Sequence, residues 1–285
     1  MIRTSWHALP AGVHSEHVFA IGDVHGHAKP LQQALEVISQ TPYQGLPKHL
    51  IFLGDTIDRG PENLRTAELV QNAANIAKVD KVSRLLGNHE IMLSSAMKNP
   101  AEDMMFWSIF GGSEVISEVD PDEMIIGDAQ IAEALRDRLP TYLTTDPSRR
   151  KHFAIVDDAI FVHAGLSPHM EIEQFLDLAY DERIPGELHW AWIRKPFLEW
   201  TGGWGQERKL TVVHGHTSAT EVLYGDTREV ETLALLSKSH NRINLDAGAG
   251  FEISQIAMGE FLDGQCRIHI FQDDAFKPRS AITRS

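Results

Sequence analysis

Three times in the first ninety residues a short apolar run ends at a glycine and gives way to polar side chains. "HVFAIGD" is apolar from Val18 to Ile21 and breaks at Gly22; "HLIFLGD" repeats the pattern, and "KVSRLLGNHE" repeats it again. Runs of this length bounded by turn residues predict buried strands. Between them the period changes. "KPLQQALEVISQ" places Leu31, Leu35 and Ile38 on one helical face, and "PENLRTAELVQNAANIAK" reads as a single second helix with Pro61 and Glu62 in its first turn. "IMLSSAMK" reads as a third helix. The order β-α-β-α-β-α predicts an α/β sheet with polar loops gathered at the carboxyl ends of its strands.

From about 99 to 150 this rhythm is lost. The segment holds "MMFWSIFGG" and one helical pattern, "DAQIAEALRDRLP". It lacks linker composition, so we expect a mainly helical insertion or lid within a single domain spanning 1–285. Strands dominate afterwards. "KHFAIVDDAIFVHAG" predicts two strands about a turn at Asp157-Asp158; "LTVVHGHT" and "NRINLDAG" predict one each; "EISQIAMGEFLDG" with "QCRIHIF" predicts a hairpin.

Composition narrows the partners. The 285 residues carry a net charge of -14, which at long range opposes nucleic acid and anionic lipid. An anionic substrate would therefore need a local positive centre. The single cysteine, Cys266, excludes an intramolecular disulfide and fits a reducing compartment; in a strand it reads as a small buried hydrophobe. The N-terminal stretch is too polar for a signal peptide, and no segment reaches the roughly 20 apolar residues of a membrane span. The expectation is a soluble cytoplasmic protein that is neither a nucleic-acid scaffold nor membrane-bound.

Five polar clusters follow or interrupt strands: "GDVHG", "GDTIDRG", "GNHE", "HAG" and "HGHT". Asp23 and His25 are close enough in sequence to reach one ion from a turn, and the two oxygens of Asp55 can bridge two ions. Asn88, His163 and His216 add neutral oxygen and nitrogen donors. A mixed carboxylate, amide and imidazole set suits Mn²⁺, Fe or Zn²⁺ better than Ca²⁺. Each cluster alone has a plain structural reading as a solvated turn, a helix cap or a buried histidine. All five in this order at strand ends point to one site.

These motifs resemble the signature of calcineurin-like metallophosphoesterases, and "GDTIDRG…GNHE" is similar to the phosphoprotein-phosphatase branch, which includes symmetrical diadenosine tetraphosphate hydrolases. The resemblance runs from about Phe19 to about Gly250, with "HWAWIRKPF" and "NRINLDAGAG" similar to later segments of bacterial members. It implies a central β-sandwich flanked by helices on both sides, and two divalent ions, Mn²⁺ before Fe or Zn²⁺. It implies Asp23, His25 and Asp55 on one ion and Asp55, Asn88, His163 and His216 on the other. His89 becomes the general acid and Asp58 its orienting carboxylate. Arg59 and Arg194 become the phosphate clamp, with Asn88 and His89 also beside the phosphate. The chain departs from relatives at Leu86, where arginine is common and Arg84 stands nearby, at Phe110 in place of asparagine, and at Ala247 in place of threonine.

The expected activity is hydrolysis of phosphate monoesters by direct water attack, with phosphoserine or phosphothreonine on proteins as first substrate. A dinucleoside polyphosphate or an RNA cap is the alternative; a binding module that keeps the fold without catalysis is a third reading, which the complete ligand set opposes. His214 would face the same side of a strand as His216, but the Gly-His-Thr motif favours His216 as ligand. His14, His17, His27 and His269 read as surface histidines. "MMFWSIF" reads as core before it reads as the lining of a substrate groove.

Overall fold

The computed structural model describes residues 1–9, 12–182, 188–205, 209–218, 241–250 and 254–273; the first two residues of "EISQIAMGEFLDG" lie outside these. In chain order, β1 (Ile2–Arg3) and β2 (His7–Ala8) precede β3 (His17–Ile21), α1 (Ala28–Gln40) and β4 (Lys48–Phe52). Next come α2 (Asn63–Gln71), α3 (Ala73–Ala77), β5 (Lys81–Arg84) and α4 (Asn88–Lys98). Helices α5 (Pro100–Trp107), α6 (Ser113–Val119), α7 (Asp128–Arg138) and α8 (Thr141–Thr144) occupy the irregular stretch. Then follow β6 (Phe153–Val156), β7 (Ala159–Val162), α9 (Ile172–Leu176), α10 (Lys195–Leu198) and β8 (Thr211–His214). The described chain ends with β9 (Arg242–Asn244), β10 (Gln255–Leu262) and β11 (Gln265–Gln272).

The strands form two sheets. A seven-stranded sheet has the order β1-β11-β10-β3-β4-β5, with β2 also paired to β11, and a four-stranded sheet has the order β6-β7-β8-β9. β3, β4 and β5 run parallel, as do β7, β8 and β9. Their period-two alternation explains the layering. Val18, Ala20 and Ile51 face Phe161, Val213 and Ile243 between the sheets. The intervening Phe19, Ile21, Leu50 and Phe52 face outward onto Leu31, Leu35 and Ile38 of α1 and onto α2 and α3. Ile160, Val162 and Val212 leave the other sheet for α9 and α10. Strands buried on both faces need continuous apolar runs, which is what the sequence carries. Full burial of each such phenylalanine contributes about 2 kcal/mol. The architecture is therefore the expected α/β sandwich between helices.

α5, α6 and α7 pack through Met104, Trp107, Val115 and Leu135 onto Leu93 of α4 and Ala67 of α2. Trp107 and Met104 are thus core, as expected. Phe106, Ile109 and Phe110 are 54%, 74% and 44% exposed and form an apolar ridge that the sequence reading set aside.

Three expectations are corrected. The second helix is two, α2 and α3, separated at Asn72, whose side-chain amide donates to the Glu68 carbonyl at 2.9 Å and competes with the helix backbone. His17 and His269 are buried, because each turns its Nε2 onto an oxygen of Glu260, at 3.0 and 2.8 Å. His27 is buried with its Nε2 2.6 Å from the Ala249 carbonyl. His14 is exposed and Cys266 buried, as expected. Among the described residues no helix is long and apolar enough to cross a membrane.

Candidate metal centre

Six parallel strands end toward one place. Asp23 follows β3, Asp55 follows β4, Asn88 and His89 follow β5, His163 follows β7, His216 follows β8 and Asp246 follows β9. This is where a parallel sheet leaves backbone free to build a site. The turns that aim these side chains are unusual. His25, Asp55, Asp58, Arg59 and His216 have φ of 44, 50, 74, 66 and 66°, in the left-handed region that L-residues avoid. Two glycines let loops close on the carboxylates. A Cβ on Gly215 would stand 2.1 Å from Asp23 Oδ1, and one on Gly87 would stand 2.2 Å from Asp55 Oδ1.

Asp55 is the hub. Its Oδ2 lies 3.7 Å from His25 Nε2, 3.4 Å from His163 Nε2 and 3.9 Å from His89 Nε2. Two groups of buried donors, each within 4.8 Å, share it: His25, Asp55 and His89, and Asp55, His163 and His216. Asn88 Oδ1 lies 2.9 Å from both His163 Nε2 and His216 Nδ1. Asp23 Oδ2 is 3.9 Å from His25 Nε2, and its carboxylate accepts the His216 backbone N–H at 3.1 and 3.2 Å. The first donor group thus holds His89 where the resemblance implies Asp23, with Asp23 just beyond. His25 Nδ1 donates to the Ile57 carbonyl and His163 Nδ1 to the Leu53 carbonyl, so each ring presents Nε2 to the centre. His214 is not part of the cluster: its Nδ1 contacts the Gly215 carbonyl and its ring packs on Phe197.

The electrostatics are those of a site built for cations. Burial, then the neighbouring Asp246 and Asp55, push the Asp23 carboxyl well above its ordinary range. Burial likewise lifts Asp246 to about 6, against the Gly248 N–H that it accepts. Burial also opposes a charge on Asp55, yet His163, His89 and His25 outweigh it and hold that carboxyl well below the usual range. For His163, Asp55 and Asp23 overcome burial and raise the imidazole to about 9. Burial and His163 push His216 well down, and among the described residues its buried Nε2 has no hydrogen-bond partner. Clustered carboxylates and an orphaned imidazole nitrogen fit divalent cations; the donor set is the mixed oxygen and nitrogen kind of transition ions.

Beside this cluster lies a second constellation. His89 Nδ1 donates to Asp58 Oδ2 at 2.7 Å, and its Nε2 accepts from Arg59 Nη2 at 2.9 Å. The tautomer follows from Arg59, which can only donate. Arg59 Nη1 also reaches His25 Nε2 at 3.3 Å. Arg194 is exposed at the rim, with Nη1 3.2 Å from Thr217 Oγ1 and 3.5 Å from the His216 carbonyl. Asp23, His25, Asp55, Asp58, Arg59, Asn88, His89, His163 and His216 therefore meet at one site, with Arg194 at its edge.

The sequence reading missed three supports. Trp107 donates its indole N–H to Asp58 Oδ2 at 2.9 Å, from 49 residues away. Glu90 accepts the backbone N–H groups of Asp55, Thr56 and Gly87 at 2.8, 2.8 and 2.9 Å. Asp246, just after β9, is buried and stands close enough to Asp23 to raise its carboxyl. Nothing local marks Trp107; the Glu of "GNHE", three residues after Gly87, makes only the half of a capping box in which its carboxylate accepts the Gly87 N–H, because glycine has no side chain to return the bond. Of the departures, Leu86 is fully buried in the apolar core, and Arg84 donates instead to the Val70 and Gln71 carbonyls.

A family model for calcineurin-like phosphoesterases matches residues 17–248. The chain belongs to this family. It is 28% identical over 156 residues to a symmetrical bis(5'-nucleosyl)-tetraphosphatase of Psychromonas ingrahamii, covering 55% of this chain and 46% of that one. It is 35% identical over 109 residues to serine/threonine-protein phosphatase 2 of Salmonella typhimurium, covering 38% and 44%. The chain spans about half the length of the curated relatives it matches. A solved serine/threonine phosphatase from Saccharomyces cerevisiae shares the fold, with a TM-score of 0.52 at 15% identity, over 93% of this chain and 83% of that one.

Proposed function

We propose that this calcineurin-like phosphoesterase is a phosphatase with a dinuclear metal site. It hydrolyses phosphate monoesters by direct water attack, with phosphoserine or phosphothreonine of proteins as substrate. The observation that carries the reading is Asp55, one carboxylate shared by two buried donor groups at the ends of parallel strands. Asp23, His25 and Asp55 would hold one ion; Asp55, Asn88, His163 and His216 would hold the other, with Mn²⁺ first and Fe or Zn²⁺ also suited. Such ions, when bound, supply positive charge to phosphoryl oxygens and acidify water for in-line displacement.

The chain's own groups complete the chemistry. Arg59, already between His25 and His89, can turn a fork of N–H donors onto phosphate oxygens, and Arg194 can do so from the rim, while Asn88 and His89 border the same space. His89 exposes Nε2 to that space while Asp58 holds Nδ1, so a proton carried on Nε2 can pass to a leaving alkoxide. Asp58, buried and joined to Trp107, fixes the ring that does this.

The test is activity and metal content together. Purified chain supplied with Mn²⁺ should hydrolyse an aryl phosphate and a phosphoserine peptide. Asp55→Asn should lose both metals and activity while staying folded. A folded Asp55→Asn protein that turns over like wild type would exclude the shared-ligand role. Faster cleavage of diadenosine tetraphosphate than of any phosphopeptide would move the substrate to the nucleotides.

A further inference from the structure

A groove of about 830 Å³ opens along α4. Its floor is Ile91, Met92 and Ser95, on the helix whose first turn carries Asn88 and His89. At 1.5 Å per residue, the groove starts within about 5 Å of His89 along the axis and reaches Lys98 about 14 Å away. Both walls lead back to the phosphate arginines. On one side Phe106 packs on Phe110 at 4.7 Å, and the Phe110 carbonyl lies 3.4 Å from Arg59 Nε. On the other, Trp192 lines the groove two residues before Arg194.

The groove combines an apolar floor with an acidic rim. Phe106, Tyr180 and Trp192 supply aromatic surface; Glu102 and Asp103 stand on one wall and Asp181 and Glu182 on the other, and among the described lining residues Lys98 is the one lysine or arginine. Among the described residues none of these four carboxylates is in an ion pair. A dinucleoside tetraphosphate would have to lay further negative charge along this rim. A peptide carrying basic side chains would not.

We propose that this groove is the specificity surface of the phosphatase and takes a polypeptide segment with lysine or arginine and an apolar residue next to the phosphorylated side chain. The proposal rests on the phosphatase reading above. An extended chain advances about 3.3 Å per residue, so 14 Å of groove accommodates about four residues. The basic side chains would reach the two acidic walls while an apolar one sits on Met92 and Trp192.

The experiment uses the full chain with Mn²⁺ and phosphoserine peptides of one framework, with arginine, alanine or glutamate at the four positions on either side. Exposed charge pairs are individually weak, so two of them should favour arginine over glutamate by on the order of tenfold in kcat/KM. The preference should shrink between about 0.05 M and about 0.5 M salt, as the Debye length contracts. The double variant Glu102→Lys/Asp103→Lys should reduce or invert the order of the peptides. Asp181→Lys/Glu182→Lys, on the other wall, should do the same and serves if the first pair fails to fold. Equal rates for all peptides, or a preference unmoved by both variants, would overturn the groove assignment, as would faster cleavage of diadenosine tetraphosphate than of the best peptide. Aryl phosphate separates the two levels. Its turnover without peptide discrimination refutes the groove alone; no turnover of any ester refutes the phosphatase reading and the groove with it.

Discussion

Glu90→Gln changes one atom and should cost this fold more than most surface truncations. The Glu90 carboxylate is buried and accepts four hydrogen bonds: Oε2 takes the N–H of Asp55 and of Gly87, and Oε1 takes the N–H and hydroxyl of Thr56, all at 2.8 to 2.9 Å. It ties the loop after β4 to the loop after β5, which hold the hub carboxylate and Asn88. In the variant one oxygen becomes an NH₂ group that can only donate. Placed at Oε2 it would face two backbone N–H groups. Placed at Oε1 it would face one, because the Thr56 hydroxyl can rotate to accept. The second orientation is cheaper and still strands one buried N–H, at about 1–3 kcal/mol, while the remaining bonds lose their charge assistance. We expect a total loss of about 3 kcal/mol, or a thermal midpoint lower by about 5–10 °C in a chain of this size. Differential scanning calorimetry of the metal-free protein isolates this effect from metal binding. A midpoint within about 1 °C of wild type would mean that the two loops are held without Glu90, and the clamp argument would be wrong.

Three further outcomes follow from other contacts. His89→Asn should slow phosphoserine hydrolysis by about 10²–10⁴-fold but an aryl phosphate clearly less, since its leaving group hardly needs the proton; equal losses in stopped assays of both esters would make His89 a ligand or electrostatic group instead. Trp107→Phe removes the indole N–H from Asp58 and should lower kcat for phosphoserine more than for the aryl ester; an unchanged ratio would reduce Trp107 to packing alone. Burial would raise the Glu260 carboxyl, yet the bonds from His17, His269 and Arg267 outweigh it and hold it below the ordinary range. Glu260 therefore adds stability that is fully present above the unfolded carboxyl value of about 4.5 and is lost as pH falls from there. Urea unfolding of wild type should weaken between about pH 5 and pH 3 more steeply than that of Glu260→Gln; parallel slopes would refute it.

The parallel strands and the five motifs are legible because their signals are local. An apolar run long enough to be buried on both faces, followed by glycine and aspartate, fixes a strand and its end without knowledge of any neighbour. The break at Asn72 was not legible, since helix propensity continues through it and only the side-chain bond to Glu68 shows the interruption. Nor were the buried histidines, because the reason to bury His17 is Glu260, 243 residues later. The contest between His214 and His216 shows the limit of a periodic argument. Strand alternation would put both on one side, but β8 ends at His214 and His216 has φ 66°. The left-handed turn, not the strand period, aims its ring.

His216 is one of five left-handed residues at the site, and their cost explains why the pairing of motif and support is harder to read than the motifs. A left-handed non-glycine residue costs of order 1–3 kcal/mol and persists only where its surroundings dictate it. At Asp55 the dictating group is Glu90, on its backbone N–H; at His216 it is Asp23, 193 residues away, on its N–H; at Arg59 it is the Gly111 carbonyl of the helical region, accepting its N–H at 2.9 Å. The ligand-bearing residues are written together in short motifs because one turn must aim several of them. Glu90 and Asp23 belong to motifs themselves, but each holds a turn on another strand, and Gly111 comes from the 99–150 region, so which group holds which turn carries no spacing that a linear reading can recognise. It follows that loosening the helical region should be felt first at Arg59, whose N–H donates to the Gly111 carbonyl, and at Asp58, which accepts from Trp107, and only later at His163 and His216, which donate to Leu53 and Asp23 at the ends of sheet strands.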